Sequence, residues 1–210
     1  MKKPNSRRPL RLGLLGGTFD PIHNGHLALA RAALRRLRLD AVLFVPCGRP
    51  PHKDRPGLSL YLHRYAMVAL ACAGEARCVP SLLEAGPGLS GEQRSYSVQT
   101  VGRLRRALGP RAQIYFLLGA DAFLYLHEWK SIARLLRLCR FAVAGRPGFD
   151  PRRARILRGG ASVTFLPGVK VGVSATEVRR RAARGKSLAA LLPRAVADYI
   201  VKMELYRKGR

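Results

Sequence analysis

RLGLLGGTFDPIHNGHLALARAALRRL, residues 11–37, passes from an apolar segment through a glycine pair into helical periodicity. RLGLL (11–15) reads as a buried strand, and over 25–37 Leu27, Ala30, Leu34 and Leu37 recur at helical spacing. Between them lies GGTFDPIHNGH (16–26), with two glycines, an Asp-Pro step and two histidines three residues apart. A core-forming element would not choose these residues. Strand, glycine turn and helix make the first half of a βαβ unit, and the same alternation recurs along the chain.

Further apolar runs read as strands: AVLFVP (41–46), a weaker ARCVPS (76–81), QIYFLLG (113–119), RFAVAG (140–145) and ASVTFLPG (161–168). Helical stretches intervene at 58–73, with Ser59 as a cap, at 97–109, closed by Gly109, and at 126–139. Pro/Gly-rich loops occupy 47–57 and 83–95, and a turn cluster lies at 145–151. Two or three more helices follow from Ser174, with Pro193 in a first helical turn. The order predicts an α/β protein: a doubly wound parallel sheet with a C-terminal helical region. Ligands of such sheets sit beyond the carboxyl ends of the strands, where the strand order reverses. The site should therefore draw on 16–26, 46–53, 119–121 and the 170s.

The 210 residues suit one domain (10–210) after a flexible basic N-terminus (1–9), with a helical subdomain from about 174. With 48% hydrophobic residues, disorder of the bulk chain is excluded. The 39 Lys+Arg against 12 Asp+Glu give a formal charge of +27, which attracts polyanions of any kind. The arginines are scattered over helices and form no tail or aromatic-interleaved stripe, so a solvated surface is the favoured reading and no nucleic-acid partner is expected. Cys47, Cys72, Cys78 and Cys139 lack zinc-site spacing and read as free thiols of a reducing compartment. The basic, briefly apolar start is interrupted by Arg11 and fails as a signal peptide, and no run approaches bilayer length. A soluble, cytoplasmic protein is expected.

Three clusters could carry chemistry. Gly16 and Gly17 let the backbone approach a ligand, and amides at the next helix start suit phosphate oxygens. His23 and His26 are a capped turn, a metal pair or a phosphate-binding pair; the glycine loop favours the last, and no third ligand has zinc-site spacing. VSATEVRRR (173–181) sets Ser174, Thr176 and Arg179 at a helix start, with Glu177 in capping-box position. Taken alone, Ser174 is an ordinary cap; taken with 16–26, the pair of cradles points to a triphosphate. LLGADAF (117–123) places Asp121 just past a strand, as a cap or a hydroxyl ligand. Trp129 and Lys53 by themselves read as core and solvated surface.

With these in order, the chain resembles the bacterial nicotinate mononucleotide adenylyltransferases, of the nucleotidyltransferase superfamily with an H-x-G-H signature. The likeness runs from GGTFDPIHNGH through PPHK (50–53), RSYSVQT (94–100), LLGADAF, HEWKSI (127–132) and GRPGF (145–149) to VSATEVR and LLPRAVADYI (191–200). It implies a Rossmann-like fold and transfer of the adenylyl group of ATP to nicotinate mononucleotide. Mg²⁺ would be held mainly by substrate phosphates. It assigns the ATP phosphates to Gly16, Gly17, Thr18, Phe19, His23, His26, Lys53, Ser174, Thr176 and Arg179, with His23, His26 and Arg179 catalytic. Thr18, Tyr96, Ser97, Asp121, Trp129 and Lys130 would meet the mononucleotide, Trp129 against the pyridine ring. Val173 stands where the family has Ile, and Ser97 where it has Thr. A homo-oligomer is compatible with this reading. A phosphopantetheine adenylyltransferase shares both signatures, and a nucleic-acid-binding protein on the same scaffold is the non-enzymatic alternative.

Overall fold

The computed structural model describes residues 8–49, 57–92, 94–145, 162–169 and 172–207. Six strands, β1 (Arg11–Gly17), β2 (Ala41–Pro46), β3 (Cys78–Pro80), β4 (Gln113–Gly119), β5 (Arg140–Ala144) and β6 (Val163–Leu166), form one sheet in the order β3-β2-β1-β4-β5-β6. Every pairing is parallel; Leu14 lies opposite Leu43 on one side and Phe116 on the other. The seven α-helices among the described residues are α1 (Asn24–Arg36), α2 (Tyr61–Ala73), α3 (Ser97–Leu108), α4 (Ala120–Leu124), α5 (Ile132–Leu138), α6 (Ala175–Ala182) and α7 (Arg194–Lys202).

Continuous apolar strands have this outcome because a parallel sheet is covered on both faces. Alternate residues feed two cores. Leu15, Phe44, Tyr115 and Leu117 pack with α1, α2, α6 and α7. Leu14, Val45, Ile114, Phe116 and Leu118 pack with α3 and α5. Each fully buried leucine contributes roughly 1.5–3 kcal/mol. Close packing also dictates a glycine: a Cβ on Gly13 would stand 2.9 Å from the Val42 side chain. Val178, Leu192, Val196 and Ile200 of the C-terminal region belong to the first core, so α6 and α7 are built onto the sheet face.

The chain grows outward from β1 to β3 and then returns to place β4 on the other side of β1. The carboxyl ends of β1 and β4 therefore flank the reversal point, where a crevice opens. The four cysteines are free, Cys47 half-buried and the others buried. Among the described residues no helix is long and apolar enough to cross a membrane.

Three local expectations are corrected. Ser59 does not cap α2, whose N-cap is Leu60; the Ser59 carbonyl instead accepts from Arg64 Nε at 3.1 Å. The helix expected over 126–139 is broken: a 3₁₀ turn spans Leu126–Glu128, Ser131 is left-handed (φ 53°), and α5 begins at Ile132. The break turns Trp129 toward the crevice lining. Pro193 occupies the N-cap of α7, one position before its first turn.

Candidate active site

The loop from β1 to α1 is held from several sides. Phe19, left-handed at φ 49° and 2% exposed, turns its ring under Gly17, where a Cβ would stand 3.2 Å from that ring. A side chain at position 17 would press on that buried ring, so packing within the loop itself favours Gly17. Asp20 is buried, and its carboxylate accepts from Tyr206 Oη at 2.8 Å. Its carbonyl accepts from Arg179 Nη1 at 2.6 Å, while Arg179 Nη2 reaches Thr176 Oγ1 at 3.2 Å. Arg179 thereby brings the 173–181 signature onto the 16–26 loop. Ser174 caps α6 by accepting from the Glu177 amide at 3.2 Å, and the Glu177 carboxylate pairs forward with Arg180 and Arg181. The capping box is half made.

His23 and His26 stack, with ring centroids 3.8 Å apart and planes at 24°. The Phe19 ring meets His26 edge-on at 4.9 Å. His26 Nδ1 accepts from the His23 amide at 3.1 Å, so Nδ1 carries no proton and the neutral ring keeps its hydrogen on Nε2. Burial pushes the His23 pKa down to about 4; burial and the neighbouring His23 hold His26 well below the usual range. Both rings are neutral at pH 7. His26 is a fixed hydrogen-bond donor through Nε2. His23 is 6% exposed, and its Nδ1 is buried without a hydrogen-bond partner. Such an orphan is costly unless a ligand or water meets it.

The expectation of free amides at the α1 start is partly overturned. The Asn24 amide donates to Leu191 O at 2.9 Å, and the His23 amide is taken by His26. The chain needed those donors to anchor 190–191 and to orient an imidazole.

Beside this loop lies a cavity of about 230 Å³. Its apolar wall is Leu14, Phe116 and Trp129, the last meeting Phe116 edge-on at 5.6 Å. Its polar side is Thr18, Cys47, Glu84, Ser95, Tyr96, Ser97 and Lys130. Tyr96 and Ser97 begin the 12-residue α3, whose positive dipole end faces the cavity, and Lys130 Nζ lies 4.1 Å from the Tyr96 ring centroid. A flat aromatic ring bearing a negative group suits these walls. Burial pushes the Glu84 carboxyl up, against hydrogen bonds from Thr100 and Ser95 that pull it down.

The crevice thus gathers Gly16, Gly17, Thr18, Tyr96, Ser97, Trp129 and Lys130 around the cavity, and Phe19, His23, His26, Thr176 and Arg179 around the adjoining loop. Ser174 is exposed at the α6 start. Asp121 is exposed in the first turn of α4 and does not line the cavity. Lys53, with PPHK, lies outside the described residues, as does most of GRPGF. Sequence reasoning passed over Glu84, Arg64, Asp20 and Tyr206. For Arg64 the signal was available: it shares the buried helical stripe of Tyr61, Met67, Val68 and Ala71. Among the described residues no three His, Cys, Asp or Glu side chains converge to hold a metal ion.

The chain is similar to known proteins. The cytidylyltransferase-like family model matches residues 14–181. A probable nicotinate-nucleotide adenylyltransferase of Moorella thermoacetica is 41% identical over 206 residues, covering 95% of this chain and 93% of its own. One of Thermoanaerobacter sp. is 39% identical over 207 residues, covering 96% of both. Among solved structures, Plasmodium falciparum nicotinic acid mononucleotide adenylyltransferase complexed with NaAD superposes with a TM-score of 0.78 at 19% identity. It covers 94% of this chain and 97% of its own, which shows a common fold. On the full-length identity and the shared sheet, this chain belongs to the nicotinate-nucleotide adenylyltransferase family of cytidylyltransferase-like nucleotidyltransferases.

Proposed function

We propose that the protein transfers the adenylyl group of MgATP to nicotinate mononucleotide, forming nicotinate adenine dinucleotide and releasing pyrophosphate. One observation carries the reading. At a single reversal point, a histidine pair on the loop that Arg179 clamps through the Asp20 carbonyl adjoins a cavity walled by Trp129 and Phe116 and facing the start of α3. The first half fits a polyphosphate, the second an aromatic ring with a carboxylate. The named activity of the relatives joins two such molecules.

The mononucleotide phosphate oxygen attacks the α-phosphorus of ATP in line, the P–O bond to the β-phosphate breaks, and pyrophosphate leaves with the electron pair. The attacking oxygen is already anionic, so no general base is needed. Neutral imidazoles, with His26 fixed as a donor, suit that chemistry. His26 Nε2–H and the Arg179 guanidinium stabilise charge growing on the leaving pyrophosphate. Ser174, Thr176 and Lys53 complete the phosphate side. Trp129 packs on the pyridine ring, and backbone amides near Tyr96–Ser97 and 129–130 read its carboxylate. Holding two bound molecules in line can contribute about 7–11 kcal/mol. Mg²⁺ comes as part of the ATP substrate, held by its phosphates.

Pyrophosphate release with ATP and each pyridine mononucleotide in turn tests the assignment. Turnover with nicotinate mononucleotide is expected; no turnover with either would remove it.

A further inference from the structure

Arg64 is the largest fully buried side chain among the described residues, yet it is a cation. Its guanidinium lies 5.3 Å from the Tyr61 ring centroid and makes four hydrogen bonds, all to backbone carbonyls. Nη1 donates to Thr18 O at 2.8 Å and Cys47 O at 2.7 Å, Nη2 to Gly48 O at 3.1 Å, and Nε to Ser59 O at 3.1 Å. These carbonyls come from the exit of β1, the exit of β2 and the approach to α2. Among the described residues no carboxylate pairs with this guanidinium; burying one so is expensive, and hydrophobic replacement of buried charges is often neutral or stabilising. Packing alone therefore gives no reason for an arginine here.

The geometry gives one. In a planar trans peptide the carbonyl and the following amide point in opposite directions. Carbonyls gathered on Arg64 send the amides of Phe19, Gly48 and Arg49 the other way. The Gly48 amide then meets Ser95 Oγ at 3.1 Å, and the Ser95 amide meets Arg49 O at 3.3 Å. A hydrogen-bonded chain thus runs from Thr18 through Arg64 and the Cys47–Gly48 turn to Ser95, just before α3. It joins the loop that carries the histidines to the segment that lines the cavity.

We infer that Arg64 is a positioning residue for adenylyl transfer: by drawing the Thr18, Cys47 and Gly48 carbonyls onto one rigid fork, it sets the spacing between the phosphate loop and the cavity wall, and so the alignment of the two substrates. The inference rests on the function proposed above. Arg64 touches neither substrate; it acts through backbone. A lysine keeps the charge but reaches out as a single point and cannot span carbonyls on both sides of the fork.

Arg64→Lys, Arg64→Gln and Arg64→Ala are to be compared with the wild type by thermal melting and by steady-state kinetics in both substrates. Misalignment on this scale costs about 100-fold in rate. The expected result is cooperative melting with kcat down by that order for Arg64→Lys, and with each KM changed less than kcat. Guanidinium ion at millimolar concentration should restore part of the kcat of Arg64→Ala, while NaCl at equal ionic strength should not. A kcat within twofold of wild type in Arg64→Lys overturns the inference. So does loss of cooperative melting in all three variants, or a lowered kcat with no recovery in guanidinium. Failure of the proposed function is seen separately, as absence of turnover in the wild type, and removes both.

Discussion

The two ends of one sheet put the same residue type to different uses. At the carboxyl ends, Arg64 and Arg179 are drawn in and donate to Thr18, Cys47, Gly48 and Asp20 backbone carbonyls. At the amino ends, two shallow basic hollows are lined by Arg8, Arg35, Arg38 and Arg77 beside β2, and by Arg105, Arg111, Arg137 and Arg140 beside β4 and β5. Some of these cap carbonyls: Arg77 reaches Leu39 O at 3.3 Å and Arg105 reaches Leu138 O at 2.8 Å. Arg35, Arg137 and Arg140 are exposed. The contrast teaches that net charge is a poor guide to this protein. Position relative to the strand ends decides which arginines build the site and which hold peripheral turns or face water.

The comparison breaks most sharply at His26. His26→Ala should lower kcat by about 10²–10³-fold, the usual cost of one oxyanion donor, with a much smaller change in mononucleotide KM. Steady-state kinetics with both substrates varied would show it, and an unchanged kcat would sink the donor role. Next is stability at acid pH. An unfolded His23 takes up a proton near pH 6.5, whereas the folded one resists until about 4. Below 6.5 the unfolded state therefore binds more protons, and stability falls as pH drops toward 4. This amounts to about 3 kcal/mol for His23 and leaves stability flat above pH 7. Urea melts between pH 4 and 8 should give this slope, and His23→Gln should make it shallower, with the buried His26 keeping the remainder.

Smaller effects separate the rest. Trp129→Ala should raise the KM for the pyridine mononucleotide by about tenfold, in the range of a lost aromatic contact, and leave ATP KM near its wild-type value. Retained mononucleotide affinity would remove the stacking role. At the far end, Arg35→Gln with Arg137→Gln should shift stability by less than about 0.5 kcal/mol and leave kcat alone. A large kinetic change there would mean that the amino-end arginines are more than solvated surface.

Much of this was legible before any coordinates. Apolar runs located all six described strands: the central ones because a strand buried on both faces must be apolar throughout, the edge strands β3 and β6 by shorter runs that leave Val79 and Thr164 exposed. The reversal point followed from the fold class, and the glycine loop at β1 lies on it. What stayed hidden has two physical causes. The helix at 126–139 breaks at a non-glycine residue, Ser131, whose left-handed backbone no local propensity announces. Partners distant in sequence are equally silent: Asp20 with Tyr206, and Arg64 with Thr18, are pairings that only the closed sheet creates. His26 shows the limit most clearly. Its spacing from His23 was plain, but its tautomer was fixed only by the backbone amide it accepts from.

The anchoring of the β1–α1 loop has a consequence in time. Asp20 is bound by groups 159 and 186 residues further along. A chain made from its N-terminus exposes this loop early and must wait for nearly the whole sequence before Arg179 and Tyr206 arrive. Such long-range closure raises contact order and slows folding. It also ties the shape of this loop to the far end of the chain: a fragment holding β1 to β5 could pair its strands, but its β1–α1 loop would lack both anchors.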